Sequence, residues 1–283
     1  MKFTYDMVRR HRKAQDIALG ASAAILGIIV VFPILYTISA SLFRMSDFAQ
    51  WPPRLWTSSP SWDNYLRVFR NSLMVRYVYN SLGTALIGTI FRGAISILAG
   101  YAAAVLSFRG RDFLFVFILA TMLVPSDALL IENYLTVMRL GWTNTWVGIL
   151  SIQILAPVNM LMYRQYFKTI PREYREVAMI SGCGDFGYLR MIVLPISMPI
   201  VLTLSLQSFI SIWNSYLWPL LVTTDQNMRT VQVGITMLGF SESLDYGPLF
   251  AALAVIMVPS IVIFALLRKR IMDGILGNIT TTL

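Results

Sequence analysis

The chain has 283 residues, 57% of them hydrophobic and 13% charged, with a mean hydropathy of +0.65. A soluble domain carries about 25% charged residues, so this composition excludes an ordinary water-soluble protein and makes the spanning helix, at about 20 apolar residues, the unit of length. The net charge of +9 would point to nucleic acid in a soluble protein, but here it is read as topology, because Lys and Arg collect in cytoplasmic loops.

The chain opens with the basic run R-R-H-R-K, which contains the single histidine, His11. With Cys183 as the single cysteine, no internal disulfide can form. A Cys/His metal centre is excluded, and neither a Cys-His nor a Ser-His triad has a usable base. The first apolar run, about 17–41, is too long and uniform for a cleaved leader and has no A-x-A site after it, so it reads as a retained helix. The following segment, 44–72, holds W-P-P-R-L-W and S-P-S-W, a composition suited to headgroup level.

The second run covers about 79–106. Asn80, Thr84, Gly88, Arg92, Ser96 and Gly100 recur every fourth residue along it, and small residues at that spacing let helices approach closely. An intramembrane charge faces the bundle interior or a water-filled cavity. Arg92 therefore has two readings. It lies in a packing seam, paired with backbone carbonyls or a carboxylate (Asp127 and Glu132 being the candidates), or it lies near a substrate path.

The third run, about 113–137, contains Pro125, which loosens a helix. The fourth, about 144–164, carries Gln153 and Asn159 around Pro157. The fifth, about 192–222, places Thr203, Gln207, Ser211 and Ser215 on one face with Asn214 adjacent and Trp213, Tyr216 and Trp218 nearby. Hydroxyl-bonding groups beside aromatic rings suit a sugar path, and hydrogen bonds between helices are the alternative. The sixth run covers about 248–267, after a second sizeable loop at 223–247.

With the N-terminus inside, 15 of the 23 Lys and Arg fall on the inner side, which predicts both termini in the cytoplasm. The expected architecture is all-α: one polytopic membrane domain of six transmembrane helices with a long cytoplasmic loop, 165–191, between spans 4 and 5. Pro171 suits a first helical position, and Glu173 and Glu176 suit the positive end of its dipole. Tyr174, Val177 and Ala178 share a face, and Gly182 and Gly184 end the helix before a second short one. The loop is thus expected to be a helix-turn-helix on the inner membrane surface.

E-V-A-x-x-x-G, followed by Leu194-Pro195, resembles the EAA loop of ATP-binding-cassette importer permeases. Asn80-Ser81, Leu140-Gly141-Trp142 with Asn144-Thr145, Arg164, Phe167, Ile170 and Pro171, Trp213-Asn214 with Pro219, and Gly274 resemble the carbohydrate-uptake branch, so the resemblance covers nearly the whole chain. Ser181 stands where Asp is common and Val177 where Ala is common, and the tail lacks the usual G-A-V-K-G ending.

The resemblance implies a loop that docks on a separate ATPase subunit, with Glu176 making charged contacts, Ala178 allowing close approach and Gly182 supplying the turn. It also implies a second, homologous permease, two ATPase subunits, an extracytoplasmic solute-binding protein and an inner-membrane location. ATP and Mg are expected on the ATPase, with no cofactor, metal or catalytic residue in this chain, which lacks G-x-x-x-x-G-K-[ST]. The expected substrate path comprises Gln207, Ser211, Asn214, Trp213, Tyr216, Arg92 and Asn159. Oligosaccharides, neutral or of the uronate (alginate) kind, are the expected cargo. A self-sufficient secondary transporter or channel predicts midplane carboxylates and repeated halves, and no repeat is visible. An intramembrane enzyme lacks the His, Cys or paired carboxylates it needs.

Overall fold

The structure is a computed structural model that describes the backbone of residues 2–71, 73–239 and 246–280, with side chains for 15–16, 18–70, 73–237 and 246–266. The side chains of His11, the terminal Lys and Arg clusters and Gly274 lie outside the described residues, as does segment 240–245 of the 223–247 loop. Helices α1 (Lys2–Ala40), α2 (Met45–Phe48), α3 (Asp63–Asn71), α4 (Met74–Val105) and α5 (Arg111–Ala120) are followed by α6 (Leu130–Arg139), α7 (Trp146–Leu150), α8 (Pro157–Phe167), α9 (Glu173–Ile180) and α10 (Asp185–Tyr188). Then come α11 (Leu194–Ile196), α12 (Met198–Trp213), α13 (Leu217–Val222), α14 (Val231–Gly239) and α15 (Tyr246–Thr280), with no strand among the described residues.

Among the described residues, three helices are long and apolar enough to cross a bilayer: Ala18–Ala40, Met74–Val105 and Tyr246–Leu266. The other expected spans are interrupted helices. Arg111–Leu123 meets Ser126–Arg139 at 87°, at Pro125, where Val124 turns extended (φ −83°, ψ 118°). A residue before proline is pushed out of the α region. The same constraint acts at Ala156 (φ −139°, ψ 88°) before Pro157, so the expected span 144–164 becomes α7, a non-helical stretch at 151–156, and α8. With 11 residues, α8 reaches about 17 Å. Asp185–Ile196 meets Met198–Trp213 at 82°, between Pro195 and Pro199.

The chain divides into two packed units, Met1–Ser72 with Ser241–Val255, and Leu73–Phe240 with Ile256–Leu283. In the first, Tyr36 sits edge-on to Phe43 and Phe250, and Phe48 stacks on Phe250 with centroids 5.7 Å apart. The 41–64 segment folds around two buried polar side chains. Asn64 Nδ2 donates to the carbonyls of Ser41 (2.9 Å) and Phe43 (2.7 Å). The Asp47 carboxylate accepts from the Arg44 amide (3.0 Å), the Thr57 hydroxyl (2.9 Å) and Arg54 Nη1 (3.2 Å). Trp51, Trp56 and Trp62 on this segment stay exposed.

The second unit is built on α4. All six residues of its four-residue stripe are buried. A Cβ on Gly100 would meet Tyr163 Cβ at 2.8 Å and the backbone of Met160 and Arg164 at 3.1 Å, and one on Gly88 would meet Ile212 and Leu150 at 2.7 Å. Helices α8 and α12 therefore press directly onto α4. The stripe is a packing seam, as one reading of the sequence expected.

Burial disfavours the Asp47 carboxylate, but its three donors outweigh this and hold its pKa below the ordinary carboxylate range. A depressed pKa stabilises the fold fully above the unfolded value, and the gain is lost as pH falls through the folded one. Segment 41–64 should therefore resist proteolysis at neutral pH and open on acidification through and below the carboxylate range. Asp47→Ala should open it at neutral pH, at a cost of about 2–3 kcal/mol, with Trp fluorescence as a second readout.

Candidate coupling loop and substrate path

The 165–191 segment forms the expected helix-turn-helix. Helix α9 ends in a Schellman turn, with Gly182 N–H on Met179 O (3.0 Å) and Cys183 N–H on Ala178 O (2.9 Å). Gly182 adopts φ +77°, where a side chain costs about 1–2 kcal/mol.

The residues named on α9 separate by depth. Ala178 is buried, 5% exposed, within a cluster formed with Tyr101, Tyr163, Phe167, Tyr188, Leu189, Val193 and Leu204. Its small size seats α9 against its own chain, whereas the sequence reading placed it at the joint with a partner. Tyr174 and Val177 are exposed, and with Glu173, Ser181, Cys183, Met191 and Ile192 they line a groove of about 540 Å³. Ile180 (88% exposed), Phe186 (70%) and Met191 (68%) extend this bare apolar surface. Glu176 is exposed on the opposite flank, lining a cavity of about 600 Å³ with Arg111, Lys168, Arg172 and Arg175. The loop therefore presents an apolar side and a charged side.

On α12, Gln207, Ser211 and Asn214 are exposed at spacing i, i+4, i+7, and Tyr216 follows at 39% exposure. Asn214 accepts from Gln232 Nε2 on α14 (3.3 Å), which adds a residue the sequence reading did not single out. The other named path residues are elsewhere. Trp213 is 1% exposed, stacked on Phe209 with centroids 5.9 Å apart, and its indole N–H is buried without a partner among the described residues. Asn159 is buried and donates to Ser208 Oγ at 2.9 Å, tying α8 to α12.

Arg92 is 8% exposed, and its Nε donates to the Gln153 carbonyl at 2.6 Å. That carbonyl lies in the non-helical 151–156 stretch, so the guanidinium satisfies backbone freed by the break. Asp127 and Glu132, offered as partners for Arg92, are both exposed. Gln153 Nε2 continues the chain to Ser215 Oγ at 3.0 Å, beside Asn214.

Other motif residues converge on 222–231. Asn80 Nδ2 donates to the carbonyls of Asn227 (2.7 Å) and Arg229 (3.0 Å), and Ser81 Oγ accepts the Val231 N–H (2.8 Å). Asn144, at φ 57°, accepts the Asp225 N–H (2.8 Å) and donates to Thr224 Oγ1 (2.9 Å). These residues pin an otherwise irregular segment.

The described geometry thus combines interrupted spans around one long helix with a surface helix-turn-helix. Residues 95–275 match a family described as binding-protein-dependent transport system inner membrane component. The chain belongs to this family. The permease is 31% identical to the sn-glycerol-3-phosphate transport system permease protein UgpE of Agrobacterium fabrum, over 89% of this chain and 93% of the relative. It is 29% identical to the trehalose/maltose transport system permease protein MalG of Thermococcus litoralis (94% and 97%). It is 28% identical to the arabinooligosaccharides transport system permease protein AraQ of Halalkalibacterium halodurans (89% and 91%). Among solved structures, a bacterial ABC transporter involved in import of the acidic polysaccharide alginate shares the fold, with a TM-score of 0.83 at 21% identity over 91% of this permease and 96% of that chain.

Gly182→Ala should lower the thermal stability of the purified permease by about 1–2 kcal/mol, and Gly182→Asn, which tolerates the left-handed region, by less.

Proposed function

We propose that the chain is a membrane-spanning subunit of an ATP-driven, binding-protein-dependent importer of oligosaccharides. The observation that carries this reading is the surface helix-turn-helix of 171–195, seated on the chain's own core through Ala178 and bare on its outer apolar side. A bare apolar surface of this kind on a structured loop marks an interaction site, and in this family ATP hydrolysis belongs to a separate subunit. The ATPase would cover Tyr174, Val177 and Ile180, with Glu176 facing a basic group on it, and ATP and Mg would be held there. A second, homologous permease and an extracytoplasmic binding protein complete the assembly. One solved alginate importer with 16% identity was captured with its pentasaccharide-bound periplasmic protein. The inner-side excess of Lys and Arg supports cytoplasmic termini and a cytoplasmic loop in the inner membrane.

Oligosaccharides are favoured as cargo by the open polar face. Gln207, Ser211, Asn214 and Gln232 present amides and a hydroxyl, and Tyr216 a ring, which suits hydroxyl-rich solutes. The relatives named for arabino-oligosaccharides and for trehalose and maltose agree with this class. The face carries no charge, and Arg92 is engaged with a backbone carbonyl, so acidic sugars would be selected at the binding protein.

The test is reconstitution of the full complex in liposomes with its binding protein. Oligosaccharides should stimulate ATP hydrolysis and enter the liposomes, and the permease alone should transport nothing. ATP-independent uptake by the permease alone would replace this reading with a secondary transporter. Val177→Asp or Ile180→Asp should weaken ATPase binding by at least about tenfold, the range of an interface anchor, measured by co-purification and titration. Arg92→Ala should affect neutral and uronate oligosaccharides equally in stimulated hydrolysis; a selective loss for uronates would place Arg92 on the path.

A further inference from the structure

The last turn of α4 ends in carbonyls that no intrahelical donor reaches. Three arginines from three other elements take them. Arg164 of α8 donates from Nε to Ala103 O at 3.3 Å, Arg175 of α9 from Nη1 to Val105 O at 3.2 Å, and Arg111 of α5 from Nη1 to Leu106 O at 3.2 Å. Cations at a helix C-terminus are also favoured by its dipole. Of the three, Arg175 alone is carried by the surface helix α9.

Arg175 does more than cap. Its Nη2 donates to Asp185 Oδ1 at 2.9 Å, crossing from α9 to the first residue of α10. The Asp185 carbonyl in turn accepts from the Tyr101 hydroxyl at 2.9 Å. Tyr101 is 4% exposed and lies one turn before Val105 on α4. The links close on themselves, from Val105 to Arg175, to Asp185, to Tyr101 and back along α4.

Both helices of the surface loop are thereby bonded to the end of α4. The loop is also attached through the apolar cluster around Ala178 and by its continuity with the helices on either side. Apolar contacts resist compression but let surfaces slide, whereas directional hydrogen bonds, strongest where a charge takes part, also resist shear and separation. The ring can thus pull on α4 as well as push it. Helix α4 leads from the ring to Arg92, about 20 Å away at helical rise, and through Gln153 to Ser215 beside the open face of α12.

We propose that the ring of Arg175, Asp185, Tyr101 and the Val105 carbonyl is the tie that delivers displacement of the surface loop to α4. This rests on the proposed ATP-driven function. Arg175 is then a positioning residue whose removal lowers the efficiency with which hydrolysis is converted into transport.

The experiment uses the complete complex in liposomes and reads saccharide uptake per ATP hydrolysed. Arg175→Met removes both bonds, of which the exposed pair with Asp185 contributes little, and should lower this ratio about tenfold. Arg175→Lys, which keeps one donor but not the fork, should fall between. Tyr101→Phe, which removes a single hydroxyl, should lower the ratio severalfold. Arg164→Met removes a cap on the same turn from α8, outside the surface loop, and should lower thermal stability while leaving the ratio in place.

A wild-type ratio in Arg175→Met would overturn the inference, as would an equal fall in Arg164→Met, which would mean that any loosened cap suffices. If Arg175→Met fails to assemble, Tyr101→Phe decides, and an unchanged ratio there overturns the ring. Absence of ATP-driven uptake by the wild-type complex would instead overturn the proposed function on which the inference rests.

Discussion

Backbone carbonyls freed and buried where helices break or end must find donors, and this constraint organises the second unit. Each unpaired group there costs several kcal/mol. Three expected spans of the chain are interrupted by prolines, and every interruption frees carbonyls. Arg92 takes the Gln153 carbonyl in the break before α8, and Asn80 takes those of Asn227 and Arg229 before α14. Three more arginines take the end of α4. Asn80, Arg92, Arg111, Arg164 and Arg175 thus serve as donors to backbone carbonyls.

Helix α4 is where these obligations meet. Its stripe of small side chains brings α8 and α12 against it, closely enough at Gly100 that a Cβ would touch neighbouring backbone. Its polar members on the same stripe, Asn80 and Arg92, reach out to the irregular segments before α14 and α8. Close packing and backbone pairing thus share one face, which is why the stripe mixes small and hydrogen-bonding residues. The open face of α12 is left to Gln207, Ser211 and Asn214, the last tied to Gln232 of α14.

Much of this was legible in the sequence, for reasons that differ by element. The four-residue spacing on α4 announced a seam because periodicity survives whatever the partner helix is. The surface loop was legible because Pro171, Gly182 and Leu194-Pro195 punctuate it, and Gly182 does adopt the left-handed turn. The breaks in the third, fourth and fifth apolar runs were less so. Hydropathy reports solubility in lipid and is blind to straightness, and only Pro125 hinted at the 87° bend. Trp213 was placed beside the polar face by proximity in sequence, yet at about 100° per residue it points away from Ser211 and stacks on Phe209. The arginines at 111, 164 and 175 were counted for the side of the membrane they mark. Their carbonyl partners lie 5 to 70 residues away in sequence, and no local pattern could name them.

The exposed row of Gln207, Ser211 and Asn214 has a consequence for how such proteins diversify. In the proposed assembly this row forms one side of the path, and the second, homologous permease supplies the other. Selectivity is then a joint property of two sequences that drift separately, so a new diet can arise from re-pairing old subunits before either acquires a substitution. In that proposed assembly the residues of this row are constrained by the partner they face as well as by the cargo.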